Sequence, residues 1–300
     1  MKYWYKYLVY LSLVFLAVAL YKADYLRVPQ ISSYSVLMIS FIFLFGGFIS
    51  HVVSWKQIVK KSNYHVALSE CFAGMGLSVF GKYIPGKIWT IVGRAAYITE
   101  KNRYPLSILS AISLNAQFIA LWLGLILGSI GLFLLGGLYL WGWLILFLWL
   151  GLTVVIFSKL VHNSTERLIK IAFRKDIQIP RLTIKSTLSV IPWFVVFWMF
   201  WSIGFYMLVT SLTATDIPWH VGLGFPLSAT LGIMAFIAPG AWRSRRGKVG
   251  YLIFAGLPIA EAVTIAGASR LWFLVGEAFI FTVGWVADKR SHKALCQTGC

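Results

Sequence analysis

Between Leu106 and Leu134 the chain carries no Asp, Glu, Lys, Arg or His, and the run from 138 to 158 repeats the pattern. Apolar stretches of roughly 20 residues match the hydrocarbon thickness of a bilayer, where a helix satisfies its own backbone groups. Eight such runs can be marked, at about 5–21, 34–55, 106–134, 138–158, 187–212, 221–239, 249–267 and 270–287. Composition agrees: 59% of the 300 residues are hydrophobic, only 12% are charged, and the mean hydropathy is +0.80. A soluble domain carries about 25% charged residues, so this chain could not cover a water-facing surface. The expected fold is all-α: a polytopic membrane bundle of about eight transmembrane helices plus a re-entrant helix over 1–288, then a cytoplasmic tail at 289–300. A soluble nucleic-acid binder is excluded despite a sequence pI near 10.0, and no nucleic-acid partner is expected.

The basic residues set the orientation, because cytoplasmic loops retain Lys and Arg. With the N-terminus in the cytoplasm, all of the 27 Lys and Arg fall on the cytoplasmic side except Lys22, Arg27 and Arg270. Both termini are therefore expected in the cytoplasm. The first run is followed by Tyr21-Lys22-Ala23-Asp24, a poor cleavage site, and reads as a retained helix rather than a signal peptide.

One segment resists this scheme. His65–Phe80 is apolar but short, carries Glu70, and is rich in small residues (Ala67, Ala73, Gly74 and Gly76). Lys60 and Lys61 precede it and Lys82 and Lys87 follow. A full crossing would put these cations on opposite sides and invert every later loop. The economical reading is a helix that dips into the membrane and returns at Tyr83-Ile84-Pro85-Gly86. Irregular backbone at that depth is tolerated only where protein or a water-filled cavity lines it, which makes the turn a candidate site.

The stretch from Phe80 to Arg94 carries the candidate substrate-binding residues Lys82, Tyr83, Pro85, Gly86, Lys87, Trp89 and Arg94. Pro removes a backbone donor and Gly permits positive φ, so the pair lets the chain turn sharply. Cations beside aromatics at a broken helix suit an anionic lipid head group. The alternative is a cytoplasmic loop whose cations snorkel beside an aromatic belt. A second Pro-Gly break, Pro239-Gly240, closes Ile237-Ala238 and also leads into a basic loop. Two such breaks suggest an internal repeat, and many transporters hold substrate where discontinuous helices of two repeats meet.

Intramembrane charge is the other signal. Glu261 follows Pro258 in one run, and Glu277 lies seven residues after Arg270 in the next, two helical turns on. Buried ionisable groups in lipid either pair or line a pathway. Glu261, Arg270 and Glu277 are thus candidates for a head-group or proton site, the alternative being an Arg270–Glu277 pair that fixes packing. Asn115 and Gln117 read as hydrogen-bonding glue between helices. Glu70 either joins a cavity or faces the head groups. The loop Lys159–Lys185 reads as an amphipathic helix on an anionic leaflet. Cys71, Cys296 and Cys300 form no framework and the five His are scattered, so neither metal nor cofactor is expected.

Lys82-Tyr83-Ile84-Pro85-Gly86-Lys87-Ile88-Trp89 with Gly93-Arg94 resembles the membrane domain of bacterial lysylphosphatidylglycerol synthetase/flippase proteins and their stand-alone flippase-like relatives. Ala238-Pro239-Gly240, Gly256-Leu257-Pro258 with Glu261-Ala262, and Ser269-Arg270-Leu271-Trp272 follow in the same order, so the resemblance spans about 5–287. It implies a lipid-moving domain, acting for example on aminoacylated phospholipid. The soluble aminoacyl-transferase domain of the full-length synthetases has no room before Cys300, so lysyl transfer is not expected. After Ala-Pro-Gly the relatives continue with a Gly-Leu-Gly-Val-Arg-Glu-Gly-like turn, whereas this chain has Ala241-Trp242-Arg243-Ser244-Arg245-Arg246. A shift of reading frame turns codons for one string into codons for the other, so compensating frameshifts are expected there.

The leading expectation is a non-enzymatic lipid translocator or lipid-binding protein of a bacterial or archaeal plasma (inner) membrane. Its partners are membrane lipids with charged head groups, with envelope-assembly proteins as further candidates. The alternative is a membrane enzyme or subunit acting on phospholipid- or polyprenyl-linked substrates. Such enzymes place paired carboxylates in a cytoplasmic loop, whereas Glu100, Glu166, Asp176 and Asp288 are well separated.

Overall fold

Ser33 opens the first helix by accepting the Val36 N–H on its side chain (3.5 Å), and Asn63, at φ +65°, lets the chain leave it. The computed structural model describes residues 31–84, 89–136, 139–158, 184–234, 251–252 and 256–298, and all regular structure among them is helical. In chain order the helices are α1 (Tyr34–Lys61), α2 (Leu68–Ser78), which tightens into a 3-10 turn at Val79–Tyr83, and α3 (Trp89–Asn102). Then come α4 (Leu106–Leu134), α5 (Tyr139–Phe157), α6 (Ile184–Leu212), a 3-10 turn at Trp219–Leu223 leading into α7 (Gly224–Met234), and α8 (Ile259–Thr298).

Four helices, α1, α4, α6 and the Ile259–Ser291 part of α8, are long and apolar enough to cross a membrane. Their polar ties fix direction. The Ser32 N–H donates to Ser211 O (2.8 Å) and Ser54 Oγ to Trp193 O (2.8 Å), so α1 and α6 run antiparallel. Trp272 Nε1 donates to Ser40 Oγ (3.1 Å), and Gly276 lies against Phe48 and Leu44, so α8 runs parallel to α1. Trp198 Nε1 reaches Ala120 O (3.0 Å), joining α6 to α4. These two buried indole donors each meet an acceptor on a neighbouring helix, which fixes the register between them.

Helices α2 and α3 form a hairpin. At its base Asn102 Nδ2 donates to Glu70 Oε2 (3.1 Å) and Tyr104 Oη to His65 O (3.2 Å). Tyr97 Oη donates to Asp288 Oδ1 (2.8 Å) and Lys101 Nζ to Ser291 Oγ (3.2 Å), so the base sits where α8 finishes. The chain therefore enters the bundle from one end, turns near its middle and returns. The small residues expected to matter make this possible: a Cβ on Gly74 would stand 3.3 Å from Arg94 O, and one on Gly93 3.0 Å from Ser78 Cβ.

From the other end, α7 descends along α4, with Leu223, Leu227 and Thr230 lying in turn against Gly131, Gly128 and Gly124. Tyr251 is back at the level of Gly131, its hydroxyl donating to His220 O (3.0 Å). Among the described residues, α7 thus leads away from the level of Gly131, and Tyr251 lies again at that level.

The expectation of about eight spans is not supported: four long apolar helices stand among the described residues. The runs at 249–267 and 270–287 are not two spans, because α8 passes through Arg270 without a break and starts only at Ile259. The charge at Arg270 reads as a span end in hydropathy, but protein hydroxyl and ring surface hold it inside the bundle. Arg270 is therefore not in an external loop. Within the run at 221–239, the described residues form a 3-10 turn and the 11-residue α7, and residues 235–239 lie outside the described residues. Pro258 does not break a span either; it precedes α8, and its carbonyl accepts the Ala262 N–H (2.9 Å). The helix also continues past 288, the boundary drawn for the tail. The expected first span at 5–21, most of the Lys159–Lys185 loop and residues 241–246 lie outside the described residues.

Candidate functional site

The hairpin turn and α8 build one cluster. Helix α2 closes into its 3-10 turn because Gly81 passes close to α3: a Cβ there would lie 3.0 Å from Thr90 N. That turn projects Lys82 and Tyr83 toward α8. Lys82 Nζ forms an ion pair with Glu277 Oε1, whose side chain is 0% exposed. Tyr83 Oη donates to Glu277 Oε2 (2.8 Å) and accepts from Arg270 Nη2 (2.9 Å). The Arg270 guanidinium also stands over the Tyr83 ring (5.3 Å), and Lys82 Nζ over the Phe273 ring (5.0 Å). Glu277 follows Gly276, which packs on Phe48 near the midpoint of α1, so the cluster sits half-way along the bundle.

Arg270 and Glu277 share a face of α8, as their spacing requires, but they do not pair with each other. The carboxylate takes Lys82, and the tyrosine hydroxyl bridges it to the arginine. A charged side chain withdrawn from water keeps its charge only when partners replace the lost hydration, and here Lys82 and Tyr83 do so for Glu277, with Arg270 reaching it through the tyrosine hydroxyl.

A second cation lies nearby. Arg94 is 5% exposed, donates through Nη2 to Ser113 O (2.6 Å), and stands over the Trp55 ring (5.3 Å). Trp55 Nε1 donates to Ser113 Oγ (3.1 Å), so Ser113 is the polar junction of α1, α3 and α4. His51 packs on Phe197 and Trp201 (4.8 and 5.6 Å). Trp201 in turn packs on Phe273 (5.1 Å). An aromatic wall therefore runs from Lys82 through Phe273 and Trp201 to His51.

Of the sequence candidates, Lys82, Tyr83, Arg270 and Glu277 meet, while Arg94 stands on Ser113 and Trp55. Trp89 is 38% exposed at the start of α3. Glu261 stands apart: it is exposed in the first turn of α8, and the 16 residues between it and Glu277 span ~24 Å of helix. Its position there suits the helix dipole instead. Pro85, Gly86, Lys87, Pro239 and Gly240 lie outside the described residues. Glu70 ties the hairpin base, accepting from Ala67 N (3.2 Å) and Asn102, rather than lining the cluster. Asn115 and Gln117 are half-buried on α4, and it is Ser113 that makes the interhelical bonds.

Sequence reasoning missed His51, Trp55, Ser113 and Trp201. A buried indole needs an acceptor, and Trp55 in an apolar run carried that signal, met here by Ser113 Oγ. No known protein family, curated protein or solved structure matches this chain.

Proposed function

We propose that this chain binds a lipid head group half-way through the membrane and carries it between leaflets. The observation that supports this reading best is the Lys82–Tyr83–Glu277–Arg270 cluster, placed mid-bundle at the tip of a returning hairpin. Hydrophobic packing alone gives no reason to keep four polar side chains at that depth, and intramembrane ionisable groups mark pathways. The α2–α3 hairpin gives the bundle a broken element entering from one end, the kind of element around which alternating access operates at a mid-depth site. The resemblance in the Lys82–Arg94 stretch points the same way, toward the flippase-like membrane domain without lysyl transfer.

The orientation follows from charge. Lys56, Lys60 and Lys61 end α1, Lys101 and Arg103 end the hairpin, Lys185 begins α6, and Lys289 and Arg290 lie late in α8. The ties described above bring these elements to one end of the bundle, whereas Asp216 and Glu261 lie toward the other. In our reading the basic end is cytoplasmic, in a bacterial or archaeal inner membrane, with the α2–α3 hairpin entering from inside. The test is reconstitution in liposomes with fluorescent lipids of anionic, zwitterionic and cationic head group. Accelerated leaflet exchange of one class is expected; rates equal to empty liposomes for all three would end the proposal.

A further inference from the structure

Arg270, Glu277, Gly284 and Ser291 recur every seven residues and so form one stripe along α8. Each meets the α2–α3 hairpin. Arg270 donates to Tyr83, Glu277 pairs with Lys82, Gly284 lies on Gly76, and Ser291 accepts from Lys101. Asp288, just before Ser291, accepts from Tyr97. The seam therefore has polar contacts at the tip and at the base, with a closed crossing between them. At that crossing a Cβ on Gly76 would stand 2.8 Å from Gly284 Cα, which leaves no gap for water. On the tip side of it, the Lys82 side chain is 27% exposed and Arg270 is half-buried. Glu277 is the one fully buried carboxylate among the described residues.

We propose that Glu277 is a proton-binding site reached past the hairpin tip, where a proton replaces Lys82 on the carboxylate and so couples movement of the hairpin to a proton gradient. The coupling rests on the translocator reading; the proton site does not. Hydronium gives its proton to Glu277 Oε1 and leaves as water. Lys82 and Arg270 already hold their protons, so the cluster gains one positive charge and the ion pair is lost. Tyr83 still donates to Oε2. A lysine without its counter-charge is costly inside a membrane, and its long stem lets it reach for water. Lys82 belongs to the 3-10 turn that ends α2, so its departure draws the tip away from α8. Release of the proton toward the base requires the Gly76–Gly284 crossing to part, which makes its transfer conditional on that movement.

Other ionisable groups surround this carboxylate at greater remove. Helix α1 brings His51, one turn on from the Phe48 that packs on Gly276, and α3 brings Arg94, held on Ser113 and Trp55. Helix α6 brings Trp201, which does not titrate, and on α2 Glu70 and Cys71 lie on the base side of Gly76. Histidine ordinarily titrates near neutral pH, so His51 is the control that the test needs.

The experiment uses the full chain, in micelles and in liposomes. In micelles, the infrared difference spectrum between acid and neutral pH reads a protonated carboxyl directly and needs no lipid transport. A carboxyl component is expected in the wild type, lost in Glu277→Gln, and kept in Glu261→Gln, Asp288→Asn and His51→Gln. A spectrum unchanged by Glu277→Gln overturns the proposal, because an ion pair that only fixes packing takes up no proton. In liposomes with fluorescent lipids, a gradient acid at the end away from the basic residues is imposed. Exchange is expected to rise by up to about tenfold per pH unit, the limit for one titrating group, and Glu277→Gln is expected not to respond. Wild-type exchange that ignores the gradient overturns the coupling while leaving the translocator reading intact. If no lipid exchanges at all, the translocator reading falls and the infrared component alone decides the proton site. Should Glu277→Gln fail to fold, Glu277→Asp keeps a carboxylate on a shorter stem. Its carboxyl component is expected to shift, and an unshifted one would overturn the proposal.

Discussion

Gly76 and Gly284 meet backbone to backbone where the hairpin crosses α8: a Cβ on Gly284 would stand 2.8 Å from Gly76 Cα and 2.7 Å from Phe72 O. Small residues let membrane helices approach this closely, and packing is what drives helix association in lipid. The contact also sets register. Gly284 lies two turns after Glu277, and Gly76 lies six residues before Lys82, so this crossing places the ion pair. Gly76→Val or Gly284→Val is expected to destabilise by about 1–3 kcal/mol through overpacking. Both should lower Tm in micelles and reduce leaflet exchange together. An unchanged Tm in both would show that the helices do not touch here.

Much of this architecture was legible. The runs at 34–55, 106–134 and 187–212 became α1, α4 and α6 nearly as marked, because length and the absence of charge decide membrane helices. That the chain folds back on itself after the short, small-residue segment was legible as well, and α2 and α3 pack against each other accordingly. What hydropathy could not read was a charge satisfied by protein. Arg270 looked like the end of a span only because Tyr83, 187 residues away, was invisible along the chain. The Lys82–Glu277 pair was hidden for the same reason: each residue was singled out, but their meeting depends on the glycine crossing.

The ion pair yields a prediction on stability. Lys82→Met leaves Glu277 buried without its cation, which costs about 3–5 kcal/mol when one partner of a buried pair is removed. The double variant Lys82→Met, Glu277→Leu is expected to recover most of that loss, because two apolar side chains need no partners. Thermal unfolding of the four proteins in a double-mutant cycle measures the coupling. Strictly additive losses would show that the two side chains do not interact.

Topology provides a second check. Single cysteines at His65 and Arg103, at the two ends of the hairpin base, are expected to react with an impermeant maleimide from the same side. Cysteines at Asp216 and Glu261 are expected to react from the other. The geometry behind this is the Tyr104–His65 bond (3.2 Å) and the antiparallel ties of α6. Labelling of His65 and Arg103 positions from opposite faces would mean that the segment crosses the membrane instead of returning.

The two glutamates of α8 should separate cleanly. Glu277 is fully buried on Lys82 and Tyr83, whereas Glu261 is exposed in the first turn, ~24 Å away along the helix. Glu261→Gln removes a favourable charge from a helix N-terminus, worth about 0.3–1 kcal/mol, and should leave leaflet exchange at the wild-type rate. Glu277→Gln removes the carboxylate charge that pairs with Lys82 at the hairpin tip. Exchange should then fall, since the cluster that supports the proposed site loses its ion pair. The two substitutions have the same chemistry, so the comparison controls for loss of charge as such. A fall in exchange with Glu261→Gln equal to that with Glu277→Gln would place the pathway along the whole of α8, and not at the hairpin tip.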